Sequence, residues 1–313
     1  MSRPPLVIAS SLTDQQNERL AAHPSAPVIV KVREPWQVPA EAQALFTYQT
    51  QWRSAPAKPP AGWPGALAWA QIASAGVDTF PRWFFEVPLV SRGRGVQAPA
   101  IAEYVIAAVM AHEKRFWDVR VDAAANWRAR SLGSLAGKTL GIAGMGAIGE
   151  EVGKRALALG MRVIGLARSR SFPIDGVERA NSFEDLLADS DHVVLAMPLT
   201  EQTRGIVNRN SLQAARRGLH LVNVARGALI DDAALVEALD SGQLGAATLD
   251  VTNPEPLPAD HPFYRHPLIR LTPHISGSCE DGEERLSAFL ASNLSRFIRG
   301  ERVEGVVDPM RAY

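Results

Sequence analysis

The chain has 313 residues, 46% hydrophobic and 21% charged, which at roughly 100–200 residues per domain favours two domains with full cores and excludes disorder as the main state. Lys+Arg and Asp+Glu are both 33, a balance that argues against nucleic acid or an anionic membrane as the main partner. One cysteine, Cys279, allows no internal disulfide or Cys-rich zinc site. With a first apolar run too short for a signal core, and no stretch near the ~20 apolar residues of a membrane helix, the expected address is the cytoplasm.

In chain order, Leu6-Val-Ile-Ala, Val28-Ile-Val-Lys-Val, Leu45-Phe-Thr-Tyr and Leu67-Ala-Trp-Ala-Gln-Ile predict strands, being short, partly β-branched and bounded by turn residues. Thr13–Ala22 predicts a helix with Thr13 as N-cap. The Pro/Gly cluster from Pro56 to Gly65 reads as a loop, because strand-like sequence resumes at once. Ala98–Trp117 is the longest helical stretch; it is apolar around most of its circumference, as in a helix buried between domains or subunits. From Lys138 the alternation becomes regular. Strands are expected at Thr139–Ala143, Arg162–Leu166, His192–Ala196, Leu219–Val224, Ala246–Val251 and Ile269–Thr272. Helices are expected at Ala147–Leu159, Ser182–Leu187, Asp232–Leu239 and Glu280–Arg299. This order implies an α/β domain with a parallel sheet and helices on both faces. The long last helix can lead the chain back to the first domain, so that domain is expected to be discontinuous and to hold both termini.

Gly144-Met145-Gly146-Ala147-Ile148-Gly149 is a GxGxxG. Glycine clusters also make plain turns, but this one sits between a buried strand and an amphipathic helix. There Gly144 permits the tight turn, Gly146 lets the backbone approach a pyrophosphate, and Gly149 lets helix pack on strand. The pyrophosphate would sit on the helix N-terminus. The next strand ends in Leu166-Ala167-Arg168-Ser169-Arg170. Alanine stands where an acid would hold a ribose 2′-hydroxyl, and two guanidiniums with a hydroxyl suit a 2′-phosphate. NADP(H) is therefore expected over NAD(H), with a solvated basic loop as the alternative.

Three more segments fall at strand ends, the edge where open α/β sheets bind ligands: Val222-Asn-Val-Ala-Arg226-Gly227, Leu249-Asp250-Val-Thr-Asn-Pro-Glu255-Pro256 and Leu271-Thr-Pro-His274-Ile-Ser-Gly277. Each alone has a bland alternative: a surface Arg, a proline-loop Glu, a capping His. Their succession after a dinucleotide loop points to one site.

With Ser74-Ala-Gly-Val-Asp78, Ala102-Glu103, Leu135-Ala-Gly-Lys-Thr-Leu-Gly, Met197-Pro-Leu-Thr200 and Thr203, these segments make the chain resemble the D-isomer-specific 2-hydroxyacid dehydrogenases, densely from about Ser74 to Gly277. The resemblance implies a Rossmann-type doubly wound domain over 98–283. It also implies a smaller flavodoxin-like α/β substrate domain over 1–97, completed by 284–313. It implies NADPH-dependent reduction of a small 2-keto acid, glyoxylate- or hydroxypyruvate-like, to the D-2-hydroxy acid, in a cleft that closes over both. By resemblance Arg226 holds the substrate carboxylate, His274 is the acid/base and Glu255 its carboxylate partner. The residue types suit the chemistry: histidine supplies a proton near neutral pH, a glutamate favours and orients imidazolium, and a guanidinium grips a carboxylate as a fork. Asp250 resembles the partner of the nicotinamide carboxamide. Met197, Pro198, Thr203, Val224, Ala225, Ser276 and Gly277 fall on cofactor positions. Ser74, Ala75, Gly76 and Val77 resemble a loop whose N–H groups meet the substrate carboxylate.

Ser91-Arg-Gly-Arg94 departs from the family's usual asparagine-containing loop, and Asn253 replaces another acid. Gln49, Trp52 and Arg53 either line the pocket or, for Trp52, pack half-buried at the surface. Met110, His112, Phe116, Trp117 and Trp127 lie where the family forms a two-fold dimer; core packing within one chain is the alternative. No metal is expected. Two other functions stay open: an NAD(H)-sensing regulator on the same fold, and a dehydrogenase of an anion such as phosphite or formate.

Overall fold

Short β-branched runs form two all-parallel sheets, whose crossovers run through α-helices in some places and through 3-10 turns or loops in others. The computed structural model describes residues 4–116, 118–168, 172 and 174–308. Trp117, Ser169 and Arg170 lie outside the described residues. The chain divides into two units, one of Met1–Val96 with Cys279–Tyr313, the other of Gln97–Ser278.

The first unit contains β1 (Val7–Ser10), α1 (Asp14–Ala21), β2 (Val28–Lys31), β3 (Ala44–Thr47), β4 (Trp69–Ile72) and β5 (Leu89–Arg92), with sheet order β2-β1-β3-β4-β5. Thr13 caps α1 through a reciprocal pair with Gln16, two orphan donors met at once. The last helix, numbered α7 (Gly282–Ile298) because six precede it, belongs to this unit. Phe297 stacks on Trp69 at 4.7 Å, and Asn293 Nδ2 donates to Gln71 Oε1 at 2.8 Å. One side of the core is aromatic. Trp52 lies between Trp36, Trp63, Phe80, Trp83 and Phe84, with its indole N–H on Thr47 Oγ1 at 2.9 Å. At 1% exposure it is core and neither pocket lining nor half-buried surface. The adjacent Arg53 is exposed.

The second unit contains α2 (Ala98–Glu113), β6 (Thr139–Ala143), α3 (Ala147–Ala158), β7 (Arg162–Leu166), β8 (Val177–Arg179), α4 (Phe183–Ala188) and β9 (His192–Leu195). It continues with α5 (Arg209–Gln213), β10 (Leu219–Asn223), α6 (Asp232–Asp240), β11 (Leu244–Leu249) and β12 (Ile269–Leu271). The order β12-β11-β10-β9-β6-β7-β8 reverses direction at β6, which opens a crevice beyond the carboxyl ends of β6 and β9. The helix expected to reach Trp117 ends at Glu113. Arg115 turns left-handed at φ 51°, and Phe116 N–H returns to Ala111 O at 3.1 Å, a closure that halts the helix within the charged run Glu113-Lys114-Arg115. β5, β8 and α5 were not expected. They are short, and β5 follows Pro88 while β8 is the edge Val-Glu-Arg, two of its three residues charged.

Candidate active site

The glycine loop joins β6 to α3 at the crevice. Gly144 adopts φ +112°, and a Cβ there would stand 2.7 Å from the Ala196 carbonyl, so the loop passes where a side chain has no room. A Cβ on Gly149 would stand 2.2 Å from Gly144 O, which sets the close approach of α3 to the loop. Met145 is buried, while Ala147 and Ile148 are half-buried in the first turn of α3. Met197 is buried just after β9, and Pro198 is exposed. Thr203 closes the following turn, donating to Pro198 O at 2.8 Å.

At the end of β10 the buried Asn223 shapes the next turn. Its Oδ1 accepts Ala225 N–H at 3.0 Å and its Nδ2 donates to Arg226 O at 2.9 Å. Val224 and Ala225 are buried, and Arg226 is half-buried with Nη1 on Ala225 O at 2.7 Å. Gly227 then passes the Thr252 backbone so closely that a Cβ would meet Thr252 O at 2.3 Å.

Beyond β11, Thr252 N–H donates to Glu255 Oε1 at 3.2 Å, which leaves Oε2 to face His274 Nδ1 at 2.9 Å. A carboxylate only accepts, so Nδ1 carries the proton of that bond and Nε2 is the free position of the ring. The His274 side chain is half exposed and Glu255 is 27% exposed. His274 has φ +56°, a conformation rare outside glycine. Asp250, 1% exposed, grips the surrounding loop. Oδ1 accepts Ile275 N–H at 2.9 Å and Thr272 O–H at 2.6 Å, Oδ2 accepts Ser276 N–H at 2.8 Å, and its carbonyl accepts His274 N–H at 2.8 Å. Gly277 follows, where a Cβ would stand 3.1 Å from the Gln97 side chain.

In the first unit the loop Ser74, Ala75, Gly76, Val77 is held from two sides. Ser74 Oγ accepts Gln49 N–H at 3.1 Å, and Arg92 Nη1 donates to Ala75 O at 2.8 Å. Gly93 N–H adds a bond to Ser74 O at 3.1 Å. The unexpected Ser91–Arg94 sequence thus serves to fasten this loop.

The model of the D-isomer specific 2-hydroxyacid dehydrogenase NAD binding domain matches residues 106–276. The chain belongs to this family. It is 37% identical over 227 residues to the glyoxylate reductase of Aeropyrum pernix, covering 68% of this chain and 67% of that protein. It is 38% identical over 178 residues to the D-3-phosphoglycerate dehydrogenase of Bacillus subtilis, covering 56% of this chain and 33% of that protein. The matched part is therefore about one third of that enzyme's length. The crystal structure of a D-isomer specific 2-hydroxyacid dehydrogenase from Xanthobacter autotrophicus Py2, in complex with NADPH and MES, aligns with TM-score 0.83 and 26% identity, covering 99% of this chain and 100% of that one.

The family's dinucleotide can be tested against these residues. No side chain caps α3 at Gly146, and a Cβ there would meet nothing within 4 Å, so the helix N-terminus faces open space. Such a cradle fits a pyrophosphate. Arg168 is exposed at the end of β7, and Arg179 on β8 donates to Ala167 O at 2.9 Å beside it. Arg179 went unnoticed in the sequence because β8 itself did.

Of the residues aligned with the family's dimer region, Met110 packs on the core of its own unit and His112 stacks on His220 with ring centroids 4.3 Å apart. Phe116 and Trp127 are 61% and 82% exposed. Among the described residues there is no cluster suited to a metal ion, and no helix is long and apolar enough to cross a membrane.

Proposed function

We propose that this protein reduces a small 2-keto acid of the glyoxylate or hydroxypyruvate class to the D-2-hydroxy acid with NADPH. The observation that carries the reading is the His274–Glu255 pair, 2.9 Å apart, beyond β12 and β11, with Arg226 beyond β10 of the same sheet. The glyoxylate reductase and NADPH-bound relatives support the substrate class and cofactor.

In this reading Arg226 grips the substrate carboxylate and polarises the keto group. Within the first unit, the N–H groups of Ser74–Val77 are the candidates for meeting a carboxylate. His274 Nε2 gives its proton to the carbonyl oxygen, while Glu255 orients the ring through Nδ1. When bound, the reduced nicotinamide supplies the hydride. Gly144, Met145, Gly146, Ala147, Ile148 and Gly149 hold the pyrophosphate, and Arg168, with Ser169 and Arg170, takes the 2′-phosphate. Met197, Pro198, Thr203, Val224, Ala225, Ser276 and Gly277 line the cofactor. Asp250 Oδ2, which accepts one N–H, has capacity for the carboxamide. The unit of Gln97–Ser278 is thus the nucleotide domain and the other the substrate domain. Exposed Phe116 and Trp127 fit burial in a homodimer.

The test follows NADPH consumption with glyoxylate, hydroxypyruvate, pyruvate, 2-ketobutyrate and phenylpyruvate, each repeated with NADH. Turnover with a higher kcat/KM for NADPH is expected. A preference for NADH would overturn the cofactor assignment. Absence of turnover in protein that binds NADPH would favour a sensor or a dehydrogenase of another anion.

A further inference from the structure

A histidine backbone at φ +56° persists only where its surroundings hold it. Here Asp250 is the clamp, and its carboxylate is itself fastened from α2. Tyr104 OH lies 2.6 Å from Thr272 Oγ1, which lies 2.6 Å from Asp250 Oδ1. The direction of this chain is fixed. Thr272 has one hydroxyl proton and gives it to the carboxylate, so Tyr104 must donate to Thr272. Burial and the charge of Asp250 raise the Tyr104 phenol above its ordinary value, which keeps that donor protonated.

We propose that Tyr104 and Thr272 are positioning residues that act through Asp250 to hold the His274 loop in its left-handed turn. The proposal rests on the reading of His274 as the acid. Neither side chain needs to touch substrate. Thr272 turns the carboxylate so that its two oxygens face the N–H groups of Ile275 and Ser276, and Tyr104 holds the Thr272 rotamer. The alternative is that Tyr104 only packs α2 against the sheet.

The test is amide hydrogen exchange on the full-length protein, wild type against Tyr104→Phe and Thr272→Val, with kcat, KM and NADPH affinity measured alongside. Each substitution removes one hydroxyl and keeps its shape. Protection at Ile275 and Ser276 is expected to fall about tenfold or more, while amides of β10 keep theirs. Turnover is expected to fall about tenfold and NADPH affinity by less, because Asp250 also faces the carboxamide while a misplaced acid acts on the transition state. Unchanged protection at Ile275 and Ser276 in both variants would overturn the proposal, as would an equal loss across β10. If the wild type reduces no 2-keto acid, the proposed reaction fails, but the exchange result still decides whether Tyr104 holds this loop.

Discussion

Glu255 Oε2 lies 2.9 Å from His274 Nδ1, and the other oxygen of the same carboxylate accepts the Thr252 N–H at 3.2 Å. One side chain therefore joins the loop after β11 to the ring beyond β12. Its anchor on Thr252 fixes which oxygen the imidazole meets. A bond to Nδ1 also assigns the exchangeable proton to Nε2, the position from which it can leave.

Glu255→Gln keeps the anchor but removes both the charge and the acceptor beside the ring. The amide oxygen can keep the Thr252 bond, which turns the amide NH2, a donor, toward Nδ1. Turnover is expected to fall about 10- to 100-fold, with melting temperature and NADPH affinity little changed. Steady-state kinetics beside a thermal melt would check this. An unchanged kcat would mean that the pair has no part in proton transfer.

Gly227 is constrained by its neighbour. A Cβ there would stand 2.0 Å from the Thr252 carbonyl carbon, and a backbone atom cannot swing aside as a side-chain tip can. Gly227→Ala is expected to cost about 1–3 kcal/mol of stability as the chain shifts. Because the residue before it is Arg226, the shift should also raise KM for the keto acid. Urea unfolding and substrate titration would check the two effects; a variant as stable as wild type would show that the contact relaxes freely.

His192 gives the fold an acid limit. It begins β9 and His220 lies in β10, at the amino ends of these strands and so at the opposite edge from the candidate site. Their Nδ1 atoms are 3.2 Å apart, and His220 Nε2 meets Thr248 Oγ1 at 2.9 Å. Burial, then the nearby His112, pushes His192 from its ordinary 6.5 down to about 3. Asp191 opposes and Lys138 adds to the shift. Glu113 Oε1 lies 3.2 Å from His192 Nε2 without an aligned hydrogen bond, and Lys138 shares that carboxylate at 3.6 Å. Burial also lowers His112 and His220. Between pH 6.5 and about 3 the unfolded chain holds a proton at His192 that the folded chain does not. Stability therefore rises with pH through that window and is lost on acidification, by about 2 kcal/mol at pH 5 for this one group. Urea midpoints at pH 7 and pH 5 should show the loss, and His192→Asn should reduce it. An equal loss in the variant would assign the acid sensitivity elsewhere.

The parts of the site legible in the sequence are those written locally. The strand, glycine loop and helix from Thr139 to Ala158 follow from apolar runs and glycine spacing. Arg226, Glu255 and His274 each have a bland alternative alone and stand out only as a succession beyond strands and through the family resemblance. What local pattern cannot carry is contact across the chain. Tyr104 and Thr272 are 168 residues apart, and nothing around Tyr104 distinguishes it from other residues of an apolar helix. Trp52 stayed ambiguous because an aromatic after a strand can face a pocket or a core, and only the surrounding Trp63, Trp83 and Phe84 decide it. The end of α2 was hidden for another reason. Phe116 and Trp117 follow the charged run Glu113-Lys114-Arg115 in the sequence, while the left-handed Arg115 has already stopped the helix.

The most direct test of the account is kcat for His274→Ala, measured with the best 2-keto acid of the panel at saturating NADPH, with NADPH affinity determined by titration on the same preparation. A loss of about 10²–10⁴ in kcat with affinity retained is expected if His274 gives the proton to the carbonyl oxygen. A variant that turns over at the wild-type rate would contradict the assignment of His274 as the acid.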